Sequence, residues 1–223
     1  FCGGLAVSLG LRPERALLND LNPHLVNFYW WLQRGLQVEV DLANDGTVYY
    51  AHRDRFNALL RAGQHDTAEA AGLFYYLNRA GYNGLCRFNQ RNQFNVPFGR
   101  YRTIAFTADL SRYRDVLGRW TFSNVEYDAL PLDPDDFVYA DPPYDVEFRQ
   151  YSARGFPWED QVRTAEWLAA HPGPVLLANQ ATPRVLDLYR GLGYDIHLLD
   201  APRRISSDGD RSAAREVLAM RNL

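Results

Sequence analysis

The chain has 223 residues, of which 47% are apolar, so it can bury one core, or one core with a small appended lobe. No apolar run approaches the roughly eighteen residues that a membrane-spanning helix needs, and five scattered histidines argue against a zinc site. The net charge of −3 is uneven, because eight arginines and two aspartates give the stretch 79–119 a charge of +6, which favours contact with phosphates.

In chain order, the first predicted elements are a short strand and a long helix. The apolar run 16–20 ends on an acid, and Asn22 followed by Pro23 is typical of a helix start. Apolar residues then recur on one helical face, at positions 25, 28, 29, 32 and 36. The sequence therefore predicts an amphipathic helix directly after the strand.

Two further helices and a long irregular segment come next. Helices are predicted over 51–62 and 66–80. The stretch 81–101 has no helical period and interleaves aromatic residues with Asn, Gly, Gln and Arg. This composition predicts a loop or hairpin, and an unusually long one.

Beyond residue 119, short apolar strands alternate with helices. Strands are predicted over 120–126, 136–140, 174–179, 194–199 and 216–221, and helices near 159–170 and 182–191. The alternation is typical of an α/β fold with a parallel, doubly wound sheet. Since no obvious helix separates the last two strands, they are predicted to form an antiparallel hairpin at one edge of that sheet.

Three short segments next to predicted strands or helices are candidates for binding a ligand. The glycine turn in "FCGG", 1–4, is either a plain turn or a place where a nucleotide-like ligand approaches the backbone. Asp20 is placed to accept hydrogen bonds from ribose hydroxyls, or simply to cap the next helix. Glu126 and Tyr127 close a later strand and could flank an adenine ring, or form an ordinary strand end.

The run "FVYADPPY", 137–144, stops an apolar strand on two consecutive prolines, which supply no backbone donors. A tight turn would explain four such residues in isolation. In this setting, the stiff segment can hold a carboxylate, bare carbonyls and an aromatic ring in fixed relation. Asp141 and a proline carbonyl could each accept one N–H of an exocyclic amine, while Tyr144 stacks on its ring. Two such acceptors favour the tetrahedral nitrogen that forms when the amine attacks.

Taken in order, "FCGG", "LLNDLNPHLVNFY", "GYNGLCRFN", "FNVPFGRY", "FVYADPPY" and "RRISSDGDR" resemble the motifs of the Dam-type adenine-specific DNA methyltransferases over nearly the whole chain. The resemblance implies a Rossmann-like, mostly parallel methyltransferase sheet with an antiparallel edge hairpin and a helical DNA-recognition insertion. It also implies methyl transfer from S-adenosyl-L-methionine to the exocyclic amine of adenine in double-stranded DNA. The target base would be flipped out of the duplex, and no metal is implied.

The resemblance assigns roles to individual residues. The catalytic residues it implies are Asp141, Pro142, Pro143 and Tyr144. The cofactor-binding set, from the strand ends and the resemblance together, is Phe1, Gly3, Gly4, Asp20, Leu21, Glu126, Tyr127 and Asp141. The DNA-binding set consists of Tyr82 as an aromatic wedge, Asn83 near the unpaired partner base, Leu85, Arg87 and Pro97 at the bases, and Arg100 at the backbone. An aromatic-bearing segment near the active site supplies Phe148, Tyr151 and Phe156.

The resemblance also predicts how the chain divides into domains. Residues 1–48 and 120–223 form the methyltransferase domain, and 49–119 form a helical target-recognition domain with the DNA-reading loop 81–101. Because the family carries a lysine-containing, glycine-rich segment upstream, we expect this chain to lack its N-terminal cofactor-loop segment. The position that is commonly a further glycine in the family is Leu5 here.

The expected protein is a cytoplasmic, nucleoid-associated monomer that makes no membrane contact. Its cysteines, Cys2 and Cys86, are expected to be free thiols in a reducing compartment. Double-stranded DNA is its expected partner, and a cognate restriction endonuclease is left open. The sequence does not determine the recognition site, GATC or another.

Two other readings stay open at this point. The Asp-Pro-Pro-Tyr tetrapeptide also occurs in methyltransferases that act on RNA or on protein glutamine, although the loop 81–101 favours DNA. A non-catalytic DNA-binding relative is the second alternative. Within the DNA-binding set, Arg87 is either a reader of a guanine edge or a phosphate contact.

Overall fold

The computed structural model describes residues 1–145, 156–201 and 214–223. These residues fall into an N-terminal unit, Gly3–Val125, and a C-terminal unit, Phe1–Cys2 with Glu126–Leu223. Each unit combines helices with a pair of parallel strands, so the predicted α/β class is confirmed. The predicted recognition domain, 49–119, lies within the N-terminal unit.

The N-terminal unit contains five helices and two strands among its described residues. The helices are α1 Ala6–Leu11, α2 Pro23–Gln33, α3 Gly46–Arg61, α4 Ala68–Ala80 and α5 Arg114–Leu117. The strands β1, Ala16–Asn19, and β2, Trp120–Ser123, pair in parallel with Ala16 opposite Trp120. The predicted strand 120–126 is therefore shorter than expected, and Glu126 and Tyr127 lie beyond its end.

Side-chain caps determine where the long helices of this unit begin. The Asn22 carboxamide oxygen accepts the N–H groups of His24 and Leu25 at 3.0 and 3.4 Å, which confirms the predicted N-cap of α2. Asp45 accepts the N–H groups of Thr47 and Val48 at 2.7 and 3.1 Å, and α3 consequently begins five residues before the predicted start at 51.

Helix α2 is buried on more of its surface than the single predicted stripe. Tyr29 and Leu32 of that stripe are buried, but so are Val26 and Asn27. The reason is that α2 packs against α4, β2 and α5. A helix that contacts several elements needs buried residues beyond one face.

The helical core of the N-terminal unit lies between α3, α4 and the segment 81–101. Its fully buried aromatic side chains are Tyr49, Phe56, Tyr76 and Phe94. The segment itself forms an irregular hairpin, held by isolated antiparallel bridges between Gly81 and Phe98 and between Phe88 and Phe94. The predicted loop or hairpin is thus confirmed, and its buried Phe94 and Val96 anchor it to the core.

The C-terminal unit is built on a four-stranded sheet in the order β3-β4-β6-β5. The strands are β3 Val138–Ala140, β4 Val175–Gln180, β5 Asp195–Ala201 and β6 Ala214–Arg221. Strands β3 and β4 are parallel, while β6 is antiparallel to both β4 and β5. The predicted antiparallel hairpin is confirmed, with β5 at the sheet edge and β6 inside the sheet.

Two helices accompany this sheet, α6 Trp158–Ala169 and α7 Pro183–Gly191. Their buried residues Leu168, Val185 and Tyr189 pack with β4 and β6 into one core. Acidic Glu159 and Asp160 occupy the first turn of α6, where negative charge complements the helix dipole.

Three further features bear on function. Within the described ranges, no helix combines the length and apolar character that crossing a membrane would need. In the same ranges no three His, Cys, Asp or Glu side chains cluster in a way that could hold a metal ion. Among the described residues, no disulfide involves Cys2 or Cys86.

Candidate active site

The tetrapeptide Asp141-Pro142-Pro143-Tyr144 directly follows the carboxyl end of β3, as predicted. Asp141 and Pro143 are exposed, Pro142 is buried and Tyr144 is half-buried. Because neither proline has an N–H group, the strand ladder cannot continue through them. The acidic side chain is thereby presented at the sheet edge, where ligands bind in open α/β sheets.

Acidic and phenolic groups surround Asp141. Although Asp141 as a whole is exposed, partial desolvation of its carboxyl by surrounding protein atoms raises its pKa above the ordinary value, and hydrogen bonds from the hydroxyls of Tyr144 and Tyr139 partly offset this. Burial and the neighbouring Asp141 raise the pKa of Tyr139 to about 12 and that of Tyr144 further. Both phenols are therefore protonated donors at neutral pH.

Glu216 of β6 joins this group and was not predicted from the sequence. The Tyr144 hydroxyl lies 3.5 Å from Glu216 Oε2. Glu216 pairs in register with Gln180, the last residue of β4. Its position could not be read from its own strand, because the sheet order alone brings it to the tetrapeptide.

A set of buried polar side chains lies behind the tetrapeptide and was likewise missed. Gln161 Nε2 donates to the Pro143 carbonyl at 2.7 Å. The Asp145 N–H donates to Asn179 Oδ1 at 2.9 Å. The Asp145 carboxylate accepts from Thr182 Oγ1 at 3.0 Å and forms an ion pair with Arg184. The backbone on either side of Tyr144 is thus held by side chains from α6 and β4.

Three aromatic residues of the predicted site come together in the C-terminal unit. The Phe1 ring lies 5.4 Å from Tyr127 and 5.5 Å from Phe156, measured between centroids. Tyr127 is buried on a single helical turn, Tyr127–Ala129, and Glu126 before it is exposed. Phe148, Tyr151 and the segment 203–211 lie outside the described residues.

The glycine turn and Asp20 meet in the N-terminal unit. Asp20 Oδ2 accepts the Gly3 N–H, and Asp20 Oδ1 accepts the Asn22 N–H, both at 3.0 Å. The Tyr29 hydroxyl donates to the Gly3 carbonyl at 2.5 Å. The capping interpretation of Asp20 is supported, because its carboxylate accepts an N–H at the start of α2, and the same side chain orients the glycine turn. Its role in holding ribose hydroxyls stays a prediction.

The backbone around this turn has unusual dihedral angles. Gly3 has a φ of +44°, and Leu5 has a φ of +59°, in the left-handed region that favours glycine. Leu5 is nevertheless buried, at 3% exposure, so its side chain is retained by packing. A Cβ at Gly3 or Gly4 would meet no atom within 4 Å, and Leu21 next to Asp20 is 60% exposed.

The predicted DNA-binding residues lie on the irregular hairpin of the N-terminal unit. Tyr82 and Leu85 are exposed despite their apolar surfaces, at 50% and 41%. Arg87 donates from Nε to Asn95 Oδ1 at 2.9 Å and from Nη2 to the Asn95 carbonyl at 3.3 Å. Asn83 has a φ of +52°. Pro97 and Arg100 are also exposed.

An open polar recess of about 470 Å³ lies beside this hairpin, between it and α3. It is lined by two arginines, one aspartate, four amide side chains and one phenylalanine, namely Arg53, Arg61, Asp54, Asn57, Asn89, Gln93, Asn95 and Phe94. The α3 residues were not predicted as functional. A signal was present, since three arginines recur along this helix at positions 53, 55 and 61.

Comparison with known proteins shows which family the chain belongs to. Residues 1–205 match the family described as D12 class N6 adenine-specific DNA methyltransferase. The retron Ec67 DNA adenine methylase of Escherichia coli is 32% identical, covering 99% of this chain and 80% of that protein. The DNA N-6-adenine-methyltransferase of Escherichia phage P1 is 34% identical, covering 99% of this chain but 31% of that protein.

A third relative is the DNA adenine methylase of Vibrio cholerae serotype O1, which is 35% identical over 99% of this chain and 84% of that protein. The family match covers most of the chain, and the relatives exceed 30% identity over nearly all of it. The resemblance inferred from the motifs is thus confirmed. The chain belongs to the D12 class of N6 adenine-specific DNA methyltransferases and is a DNA adenine methyltransferase.

Proposed function

We propose that the protein transfers a methyl group from S-adenosyl-L-methionine to the exocyclic amine of a flipped adenine in double-stranded DNA. The observation that carries the proposal is the tetrapeptide at the end of β3, with the Asp141 carboxylate exposed beside Tyr144. Family membership supports the reaction class.

The hydrogen bonds of the tetrapeptide indicate which acceptors would receive the amine. The Pro143 carbonyl already accepts from Gln161 at 2.7 Å. The Pro142 carbonyl and the Asp141 carboxylate are then the pair of acceptors for the two N–H groups. Both acceptors would strengthen their hydrogen bonds as the nitrogen becomes tetrahedral, which stabilises the transition state more than the bound substrate.

Tyr144 would provide the stacking surface for the flipped base. Its hydroxyl is held by interactions with Asp141 and with Glu216 at 3.5 Å, so the ring has little freedom to turn. A fixed ring orients the adenine plane against the two acceptors, which lowers the entropic cost of reaching the reactive geometry.

The cofactor would supply an activated methyl group when bound. Gly3, Gly4 and Asp20 in the N-terminal unit, together with the nearby Leu21, would hold its nucleoside portion. They fit this role because the glycine turn is open on its exposed side and Asp20 is fixed by two backbone N–H groups. Each carboxylate oxygen keeps a lone pair for a ribose hydroxyl. The other residues proposed for the cofactor, Phe1, Glu126, Tyr127 and Asp141, belong to the C-terminal unit, where Phe156 packs beside Phe1.

The N-terminal unit would bind DNA through its hairpin. Exposed Tyr82 would fill the space that the flipped base leaves, with Asn83 beside the unpaired partner. Leu85, Arg87 and Pro97 would contact bases, and Arg100 the backbone. The polar recess between α3 and the hairpin would take phosphate groups, because Arg53 and Arg61 outweigh Asp54 in charge and amide donors line it beside them. This role extends the proposed recognition domain, 49–119, to the surface of α3.

Base flipping follows from where the acceptors lie. An amine that is stacked and paired inside a duplex cannot reach acceptors at the end of a strand, so the nucleotide would have to be extruded. The methyltransferase domain would then comprise 1–48 and 120–223. Double-stranded DNA is the only partner that the proposal requires.

The experiment that tests the proposal identifies the methylated atom. The protein is incubated with S-adenosyl-L-methionine and duplex DNA, single-stranded RNA or a glutamine-containing peptide, and the products are analysed by mass spectrometry as nucleosides or peptides. N6-methyldeoxyadenosine in the duplex alone is the expected result. Methyl groups on cytosine, on RNA or on the peptide with unmodified DNA adenine would overturn it.

A further inference from the structure

Asn179, near the end of β4, is fully buried and makes four hydrogen bonds. Its Oδ1 accepts the N–H groups of Asp145 and Gln180 at 2.9 and 2.8 Å. Its Nδ2 donates to Gln161 Oε1 at 2.8 Å and to the Tyr189 hydroxyl at 3.0 Å. With every donor and acceptor used, the carboxamide has one favourable orientation.

The orientation of Asn179 in turn determines that of Gln161. Because Gln161 Oε1 accepts from Asn179, its Nε2 must face the other way, towards the Pro143 carbonyl at 2.7 Å. Gln161 is itself buried, at 2% exposure. The two amides therefore form a directional link from β4, through α6, to the backbone of the tetrapeptide.

A second contact holds the residue that follows the tetrapeptide. The buried Asp145 carboxylate pairs with Arg184, whose guanidinium lies 4.7 Å from the centre of the Trp158 ring. Thr182 Oγ1 donates to the same carboxylate at 3.0 Å. Asp145 is consequently fixed through its backbone N–H by Asn179 and through its side chain by the start of α7.

These contacts anchor the tetrapeptide backbone, which the two prolines leave with few hydrogen-bond donors. Pro142 and Pro143 have no N–H groups, so backbone donors cannot position this segment as they position a strand. What is left for anchoring is the proline carbonyls and the N–H groups that follow. Gln161 binds the carbonyl of Pro143, and Asn179 binds the N–H of Asp145, which leaves the Pro142 carbonyl and Asp141 to the substrate.

We propose that Gln161 and Asn179 are positioning residues for methyl transfer, which fix the tetrapeptide backbone so that the Pro142 carbonyl and the Asp141 carboxylate keep the spacing of the two amine protons. The inference rests on the proposed function. A displacement of about 1 Å at a reacting centre can lower a rate about 100-fold without a comparable effect on binding. The two residues therefore act on kcat, and neither touches the substrate.

The test compares variants that remove the amide donors of Gln161 and of Asn179. Gln161→Met keeps the length of the side chain but removes the donor to Pro143. Asn179→Asp removes the donor to Gln161 and to the Tyr189 hydroxyl, while keeping an acceptor for the Asp145 N–H. Each variant should lower kcat about 10- to 100-fold, as measured with saturating cofactor and DNA. KM for the cofactor and Kd for DNA should stay within about two-fold of wild type.

Two comparisons separate positioning from general loss of stability. Tyr194→Phe removes a buried hydrogen bond to the Ala165 carbonyl on the same helix, 2.7 Å long, that does not lead to the tetrapeptide. It should lower Tm as Gln161→Met does, and leave kcat unchanged. The double variant Gln161→Met/Asn179→Asp should be about as slow as the slower single variant, because both changes break one link.

The outcomes are distinct. Wild-type rates in folded Gln161→Met protein, or a loss of kcat in Tyr194→Phe equal to that in Gln161→Met, would overturn the positioning role. Multiplicative losses in the double variant would also contradict a single link. If wild-type protein did not methylate adenine at all, the proposed function would fail and the inference with it.

Discussion

Asp20 Oδ2 accepts the Gly3 N–H at 3.0 Å, which joins the residue after β1 to a glycine turn seventeen positions earlier in the chain. The second oxygen of the same carboxylate accepts the Asn22 N–H, at the start of α2. One side chain thus orients the two backbone segments of the N-terminal unit that the proposed function assigns to the cofactor.

Replacement of Asp20 should weaken binding of the cofactor more than binding of DNA. In Asp20→Ala, the acceptor for ribose hydroxyls is lost and the glycine turn is released, so affinity for S-adenosyl-L-methionine should fall at least about ten-fold, while DNA affinity changes little. Calorimetry with each ligand measures both affinities. Asp109→Ala is the matched control, since Asp109 also accepts a backbone N–H, that of Ser111 at 2.8 Å, elsewhere in the unit. Unchanged cofactor affinity in Asp20→Ala would remove Asp20 from the site.

Replacement of Asp141 should lower the rate of methyl transfer and leave DNA binding unchanged. Asp141→Ala removes an acceptor that strengthens in the transition state, a loss that typically costs roughly 2.7–4 kcal/mol, or about a hundred- to a thousand-fold in kcat. Single-turnover methylation and a DNA-binding isotherm separate the two effects. Asp187→Ala, which removes an 80% exposed carboxylate on α7, should change neither. Near-normal turnover of Asp141→Ala at saturating cofactor would rule out the catalytic assignment.

The stability of the protein should depend on His24 below neutral pH. Burial, with a smaller effect of the nearby His65, lowers the pKa of His24 to about 4, and among the described residues its Nδ1 has no hydrogen-bond partner. Because the unfolded chain binds this proton near pH 6.5, the folded state loses stability as pH falls from about 6.5 towards 4, by up to about 3 kcal/mol. His24→Phe should remove this loss and keep the stacking on Phe88, 4.9 Å away.

Urea unfolding of wild type and His24→Phe between about pH 7 and pH 4.5 measures the effect as the difference in unfolding free energy. The exposed His197, on β5, supplies the control, and His197→Gln should keep the wild-type dependence on pH. Parallel pH profiles for wild type and His24→Phe would show that His24 does not carry the dependence.

We expect Arg87 to recognise one base pair of the DNA target. Its guanidinium is held on one side by Asn95, which leaves its remaining donors in a defined direction. If they contact a guanine edge, Arg87→Ala should cost about 1–3 kcal/mol on the preferred site and much less on sites already altered at that base pair. Binding to single-base-pair variants at several salt concentrations measures this. Arg91→Ala, on the same hairpin, is the control for a general loss of positive charge.

A phosphate contact would behave differently in the same experiment. Affinity of Arg87→Ala would then fall equally on every sequence, and the slope of affinity against salt would drop by about one unit. That result would make Arg87 a backbone anchor and leave the specificity determinant to another residue.

The parts of this protein that could be predicted from sequence are those with local signals. Asn22 and Pro23 mark the start of α2, and the double proline after β3 marks the strand end that presents Asp141. The start of α3 was missed because its cap, Asp45, precedes the weak helix formers Gly46 and Thr47.

The link between Gln161 and Asn179 has no local signal at all. The two residues are eighteen positions apart, on a helix and a strand whose packing brings the amides to 2.8 Å. Glu216 is still further from Tyr144 in sequence, and only the insertion of β6 beside β4 brings it near. A buried polar network of this kind is specified by the tertiary structure, so a single sequence does not reveal it.

The position of β6 in the sheet also determines when, during synthesis of the chain, the sheet can be completed. Residues 214–221 lie between β4 and β5, although they are synthesised after both. Until β6 has been synthesised, β4 can pair only with β3, β5 has no partner strand, and Tyr144 lacks Glu216. The four-stranded sheet is therefore completed, and Tyr144 gains its contact with Glu216, only after residues 214–221 have been synthesised.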